Sequence, residues 1–224
     1  MKRTRLKDRV LPTYSKGEEL FNMITHIIGG IVGVIALILC TVFATLHQNW
    51  YGLAGGLVFG FSMIFLYASS SIYHGLSPNL MAKKLFQIFD HCTIFLLIAG
   101  TYTPLLLTVV REYKPILAWS MLALVWTMAI IGIVLNSIDI KKYKTFSFIC
   151  YLAMGWCVVF TAGDLVKIFD NTALILLVSG GIAYTIGAML YLIGKKKKFI
   201  HSVWHICVNL GSILHFLCIL LYAM

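Results

Sequence analysis

Residues 195–216 read KKKKFIHSVWHICVNLGSILHF, and the apolar pattern continues to residue 222. Behind the four lysines no Asp, Glu, Lys or Arg recurs before the chain ends. That run suffices for an α-helix, which needs about 20 residues to cross a hydrocarbon layer of ~30 Å. The lysine block marks where such a helix leaves water, because ammonium groups are costly in lipid. Just inside stand His201 and His205, four residues apart. Imidazole is expensive at that depth unless something holds it.

The rest of the chain has the same character. Sixty per cent of its 224 residues are hydrophobic and 12% are charged, with a mean hydropathy of +0.92. This is too apolar for a water-soluble domain of that size. Apolar stretches fall at about 24–46, 51–73, 86–110, 116–135, 145–163, 172–193 and 200–222, which predicts seven transmembrane helices. Runs this long and continuously apolar do not alternate as barrel strands must. The expectation is an all-α integral membrane protein: one seven-helix domain over 1–224, led by a basic cytoplasmic segment, 1–23. The first run is too long for a signal-peptide core and ends in TLHQNW without a small-residue cleavage pattern, so it is expected to stay. The six cysteines are scattered through the spans without a CxxC pair, which indicates neither a disulfide framework nor a thiolate zinc site.

A net charge of +10 invites a nucleic-acid reading, but the placement of the charge argues against one. Lys2, Arg3, Arg5, Lys7, Arg9 and Lys16 precede the first span; Lys83 and Lys84, then Lys141, Lys142 and Lys144, then Lys195–Lys198 occupy alternate loops. Only Arg111, Lys114 and Lys167 fall on the other side, so the N-terminus is predicted in the cytoplasm and the C-terminus outside the plasma membrane. The lysine blocks read as topology signals that meet anionic headgroups, making membrane lipids rather than nucleic acid the expected partners.

With that orientation, polar groups converge at one depth. The second predicted span ends in SSSIYH, bringing Ser70 and His74 to the cytoplasmic face; the third begins there with Asp90 and His91 in FDHCT; the seventh begins there with His201 and His205. Four-residue spacing puts both imidazoles on one helical face, able to share an ion. Asn209 and Ser212 continue that stripe. Three neutral imidazoles and a carboxylate suit a tetrahedral zinc shell. His74, His201 and His205 are therefore the expected ligands; Asp90 takes the fourth position or holds a water there, and Ser70 donates to the site from behind. Iron or manganese would also accept such ligands, although the histidine-rich set leans to zinc. His26 reads as an interfacial hydrogen bonder, with support of the ligands as the alternative. His91 points about 100° away from Asp90 and reads as a packing residue. His47 falls in an outer loop, and His215 reads as a buried, hydrogen-bonded histidine. Gly29 and Gly33, and Gly52, Gly56 and Gly60, mark close-packing faces. Pro104 should kink its helix.

The run Glu19, Asn22, Thr25, His26, the Ser70/His74 pair, Asp90–His91 ahead of GTYTP, and the His201/His205 pair cover nearly the whole chain. In that order they resemble the progestin and adipoQ receptor superfamily and, within it, the bacterial hemolysin III branch. The resemblance implies a seven-helix bundle with its N-terminus inside, and zinc near the cytoplasmic face held by three histidines beside an aspartate. On this sequence those roles fall to His74, His201, His205 and Asp90, with Ser70 next to them. A long N-terminal domain like that of the adiponectin receptors is missing, which argues against hormone reception.

Three functions compete at this stage. One is a zinc-dependent, ceramidase-like hydrolase of a membrane lipid amide or ester, with Asp90 as proton acceptor and zinc or Ser70 polarising the carbonyl. Another is a pore-forming cytolysin, a toxin, as the branch name implies; seven apolar spans suit a resident membrane protein better. The third is a non-catalytic membrane protein in which zinc ties three helices together.

Overall fold

The computed structural model describes residues 4–193 and 197–224; Lys2, Arg3, Lys195 and Lys196 of the basic clusters lie outside them. Six helices are long and apolar enough to cross a membrane, and no strand occurs among the described residues. They are α1 (Lys16–Leu46), α2 (Trp50–Gly75), α3 (Met81–Leu105), α4 (Pro115–Trp156), α5 (Asn171–Ile193) and α6 (Ile200–Tyr222).

α1 starts earlier than its apolar run because Ser15 and Glu18 form a capping box: the Ser15 hydroxyl accepts from the Glu18 amide while the Glu18 carboxylate accepts from Ser15 N at 2.9 Å. Its inward face is Glu18, Asn22, His26, Gly29, Gly33, Ala36, Cys40 and Ala44, polar for three turns and small thereafter. The bulky Ile24, Ile27, Ile31, Ile35 and Ile38 point outward. Small residues inside and branched ones outside invert the pattern of a soluble protein and suit a lipid surround, where helices associate by close backbone approach. A Cβ on Gly60 would stand 2.7 Å from Leu37 Cα, which shows how closely α1 and α2 meet.

α3 carries Pro104 and continues as a π-helical turn, Leu106–Val110, in which Thr108 Oγ1 donates to Pro104 O at 2.8 Å. α4 is the largest departure from expectation. Its 42 residues cover the run at 116–135 and most of that at 145–163, with Lys141, Lys142 and Lys144 inside helical turns rather than a loop. A single non-helical residue, Asp139 (φ −162°, ψ 101°), interrupts it. In a straight helix residues 136 and 147 would be about 16 Å apart, yet Ser147 Oγ donates to Asn136 Oδ1 at 2.6 Å. Asn136 Nδ2 also donates to Tyr151 OH at 3.2 Å. The chain therefore folds back at Asp139, with Oδ1 accepting from the Lys141 and Lys142 amides to start the returning arm. Beyond α4 the chain passes through a 3₁₀ turn, Cys157–Thr161, and the short helix Ala162–Ile168. All six cysteines are free thiols.

Candidate metal centre

Four helices bring polar groups together. On α1, Glu19, Asn22 and His26 share a face; the end of α2 supplies Ser70 and His74; the start of α3 supplies Lys83 and Asp90; the start of α6 supplies His201, Ser202 and His205. Among the described residues, one ring nitrogen from each of His74, His201 and His205 lies within 4.8 Å of the other two. All three side chains are buried. These are the histidines expected as ligands.

The hydrogen bonds decide which nitrogen each can offer. His74 Nδ1 lies 2.6 Å from Glu19 Oε2. A carboxylate only accepts, so Nδ1 carries the proton and Nε2 keeps the lone pair. That Nε2 is buried without a partner. His205 Nδ1 donates to Asn22 O at 3.4 Å, leaving its Nε2 3.2 Å from His201 Nε2. Two nitrogens of a tetrahedral site with metal bonds of 2.0–2.1 Å stand roughly 3.3 Å apart. The His201–His205 pair already has that spacing.

Further buried polar atoms cluster here without partners among the described residues: Asn22 Nδ2, His26 Nδ1 and Nε2, and Ser70 Oγ. Each would cost about 1–3 kcal/mol if left unmade. Such a concentration fits a group held in place with attendant water, and the donor set of three imidazoles beside a carboxylate fits a divalent transition metal. Ser70 sits one turn before His74 and is fully buried. Asp90 is buried and shares a cavity wall with His26, but it stands outside the three-histidine group.

Sequence reasoning underrated three groups. His26 is not an interfacial hydrogen bonder: it is buried, stacked on His205 with ring centroids 3.7 Å apart, and edge-on to Tyr67. Its helical spacing from Glu19 and Asn22 was the available signal. Lys83 is not a loop lysine but a buried residue of α3, paired with Glu19. Tyr14, in the segment before α1, stacks on His201 with centroids 4.9 Å apart. Burial, assisted by Tyr191 and Asp90, pushes its phenol far above the usual range, so it covers the cluster as a neutral ring. The remaining histidines stand apart: His91 meets Tyr191, His47 Nδ1 lies near Met224 O, and half-buried His215 donates from Nε2 to Leu177 O at 3.1 Å.

Behind the cluster lies a cavity of about 410 Å³, with His26 and Asp90 at one end and Leu106, Val110 and Phe169 at the other. From Asp90 to Val110 it follows α3 for about 30 Å, the depth of a bilayer core. Its wall is almost wholly apolar, and exposed Val159, Val166 and Val178 border it.

Known proteins are similar to this sequence. Residues 14–216 match the family model described as haemolysin-III related. Hemolysin-3 of Bacillus cereus is 38% identical over 207 residues, 92% of each chain. A hemolysin-3 homolog of Bacillus subtilis (strain 168) is 37% identical over 205 residues, 92% of this chain and 94% of that one. The human monocyte to macrophage differentiation factor is 28% identical over 170 residues, 74% of this chain and 68% of that protein.

Proposed function

The chain belongs to the haemolysin-III-related family of multi-pass cell-membrane proteins, and from that premise we propose that it is a zinc-dependent hydrolase of a membrane lipid amide or ester. The reading takes the two arms of α4 as separate spans, giving seven with the N-terminus in the cytoplasm. The Asn136–Ser147 bond across the break at Asp139 supports it. The metal centre then lies just below the inner headgroups.

One observation carries the proposal: three mutually close imidazoles stand among buried polar atoms that lack partners among the described residues, next to His26, which lines a long apolar cavity. His74, His201 and His205 would hold the ion. Zinc bound there supplies a Lewis acid that brings the pKa of water towards neutrality and polarises a carbonyl. Asp90 is buried, lines the cavity together with His26, and takes the proton from the attacking water, later returning it to the leaving amine or alcohol. Ser70 Oγ has no partner to give up and donates to the carbonyl oxygen as negative charge develops. The apolar wall holds the acyl chain, and the exposed valines beside the cavity suit a substrate entering sideways from lipid.

The test is cleavage of lipid extracted from the host membrane by the purified, zinc-loaded protein. Release of a fatty acid, lost in Asp90→Asn, is expected; no product, under conditions where a known lipid amidase works, refutes the reading. The names of the bacterial relatives favour a second reading, membrane permeabilisation. Dye release from liposomes that survives His201→Ala would favour it over hydrolysis.

A further inference from the structure

The metal reading above leaves unexplained why two charged residues, Glu19 and Lys83, are sunk into the same wall. Their side chains are 17% and 1% exposed. Lys83 Nζ lies 2.8 Å from Glu19 Oε1 and donates to Tyr73 O and Leu76 O, both at 2.9 Å, with His74 O at 3.4 Å. These carbonyls belong to the final turn and cap of α2, where no further amide of the helix reaches them and where the helix dipole is negative. One ammonium group thus closes the end of α2 and neutralises the carboxylate. The second carboxylate oxygen, Oε2, accepts from His74 Nδ1 at 2.6 Å.

We propose that Glu19, clamped by Lys83, is the positioning residue that fixes the tautomer and ring direction of His74, so that Nε2 faces His201 and His205. The inference rests on the metal reading. Carboxylate–imidazole pairs of this kind orient metal-binding histidines and raise their basicity, and losing the carboxylate costs about 10–100-fold in metal affinity. Lys83 keeps the carboxylate ionised in a wall where an unpaired anion would be costly. His205 is held from behind only by a backbone carbonyl, Asn22 O, so His74 alone has a side-chain anion in that role.

The experiment compares the full chain in detergent with Glu19→Leu and Glu19→Gln by two readouts: zinc affinity from chelator competition, and ¹⁵N NMR of histidine-labelled, metal-free protein. The His74 signal is assigned by its disappearance in His74→Ala. Glu19→Leu should weaken zinc by about 10–100-fold and release His74 from its Nδ1–H form. Glu19→Gln keeps an acceptor oxygen, so it should retain that tautomer and lose affinity by only several-fold. A merely structural role would move affinity without this tautomer change or this rescue. If the wild type binds zinc and both variants stay within twofold of it, the positioning role is wrong and the metal centre stands. If the wild type takes up no zinc, the metal reading falls and takes this role with it. Where Glu19→Leu does not fold, Glu19→Gln decides by the same twofold criterion.

Discussion

His205→Ala and His26→Ala separate a ligand from a neighbour, although the two rings stack at 3.7 Å between centroids. His205 belongs to the group with ligand atoms inside 4.8 Å, its Nε2 is 3.2 Å from that of His201, and His26 is outside that group. Structural zinc sites gain ~10–16 kcal/mol over four ligands, about 2.5–4 kcal/mol each, so one lost ligand weakens binding by roughly two to three powers of ten. With zinc at ~1,000 times the wild-type Kd the folded state gains about 4.1 kcal/mol, and a 100-fold weaker site keeps only about 1.4. His205→Ala should therefore lose about 2.7 kcal/mol of zinc-dependent stabilisation. His26→Ala should keep nearly all of it. Elemental analysis and thermal unfolding with and without zinc in detergent measure both effects. If His205→Ala keeps one zinc per chain and the full wild-type increment, or His26→Ala loses as much as His205→Ala, the assignment of ligands is wrong.

Asp90→Asn should retain zinc within a few-fold and lower hydrolysis by about 10²–10⁴, the usual contribution of a general base; equal loss of metal and activity would make Asp90 a ligand instead. Gly60→Leu forces a side chain against the Leu37 backbone, where even a Cβ would stand 2.7 Å away. Overpacking of this kind costs about 1–3 kcal/mol or more, read as a lower unfolding temperature, and an unchanged value would refute the close approach. Asn136→Ala removes the bonds to Ser147 and Tyr151 across the Asp139 break, at about 0.6 kcal/mol each in a membrane protein. Ser147→Ala in the same background should add less than it does alone, and full additivity would argue against the contact. Tyr14→Ala uncovers His201 and should speed zinc release to a chelator; an unchanged rate would show that the ring does not gate the site.

The helices were legible because lipid imposes one rule, an apolar run of fixed length. The histidine cluster was legible because ionisable groups inside apolar spans are rare. His74, His201 and His205 could be paired by spacing and by which end of each span they occupied. The fold-back was less clear: Asp139 breaks α4 with one residue, and the lysines after it continue helically, where hydropathy suggested a loop over 136–144. Lys83 escaped for a different reason. Charge counting treats a lysine near a helix end as solvated, whereas this one replaces water with carbonyls and a carboxylate, partners drawn from two other helices. His26 was misjudged because its partners are rings rather than polar atoms.

The position of the site follows from how each helix is graded along its length. α1 runs inward-facing from Glu18, Asn22 and His26 to Gly33, Ala36 and Ala44. α2, running the other way, goes from Gly52, Gly56 and Gly60 to Ser70 and His74. α6 reverts to the first order, from His201, Ser202 and His205 to Cys218 and Ile219. These opposed gradients in α1, α2 and α6 bring their three polar ends together, where His26 and His74 both meet His205. Close packing at the small-residue end, as where Gly60 meets Leu37, leaves no room for a polar centre there. At the opposite end Glu19 joins His74 to Lys83, and the apolar cavity reaches this end at His26 and Asp90. A lipid with its reactive bond at headgroup depth and its chain in that cavity would meet the histidines without its polar part entering the bilayer centre. On the proposed function, the grading of the helices sets where an ion would be held and which end of a lipid it would face.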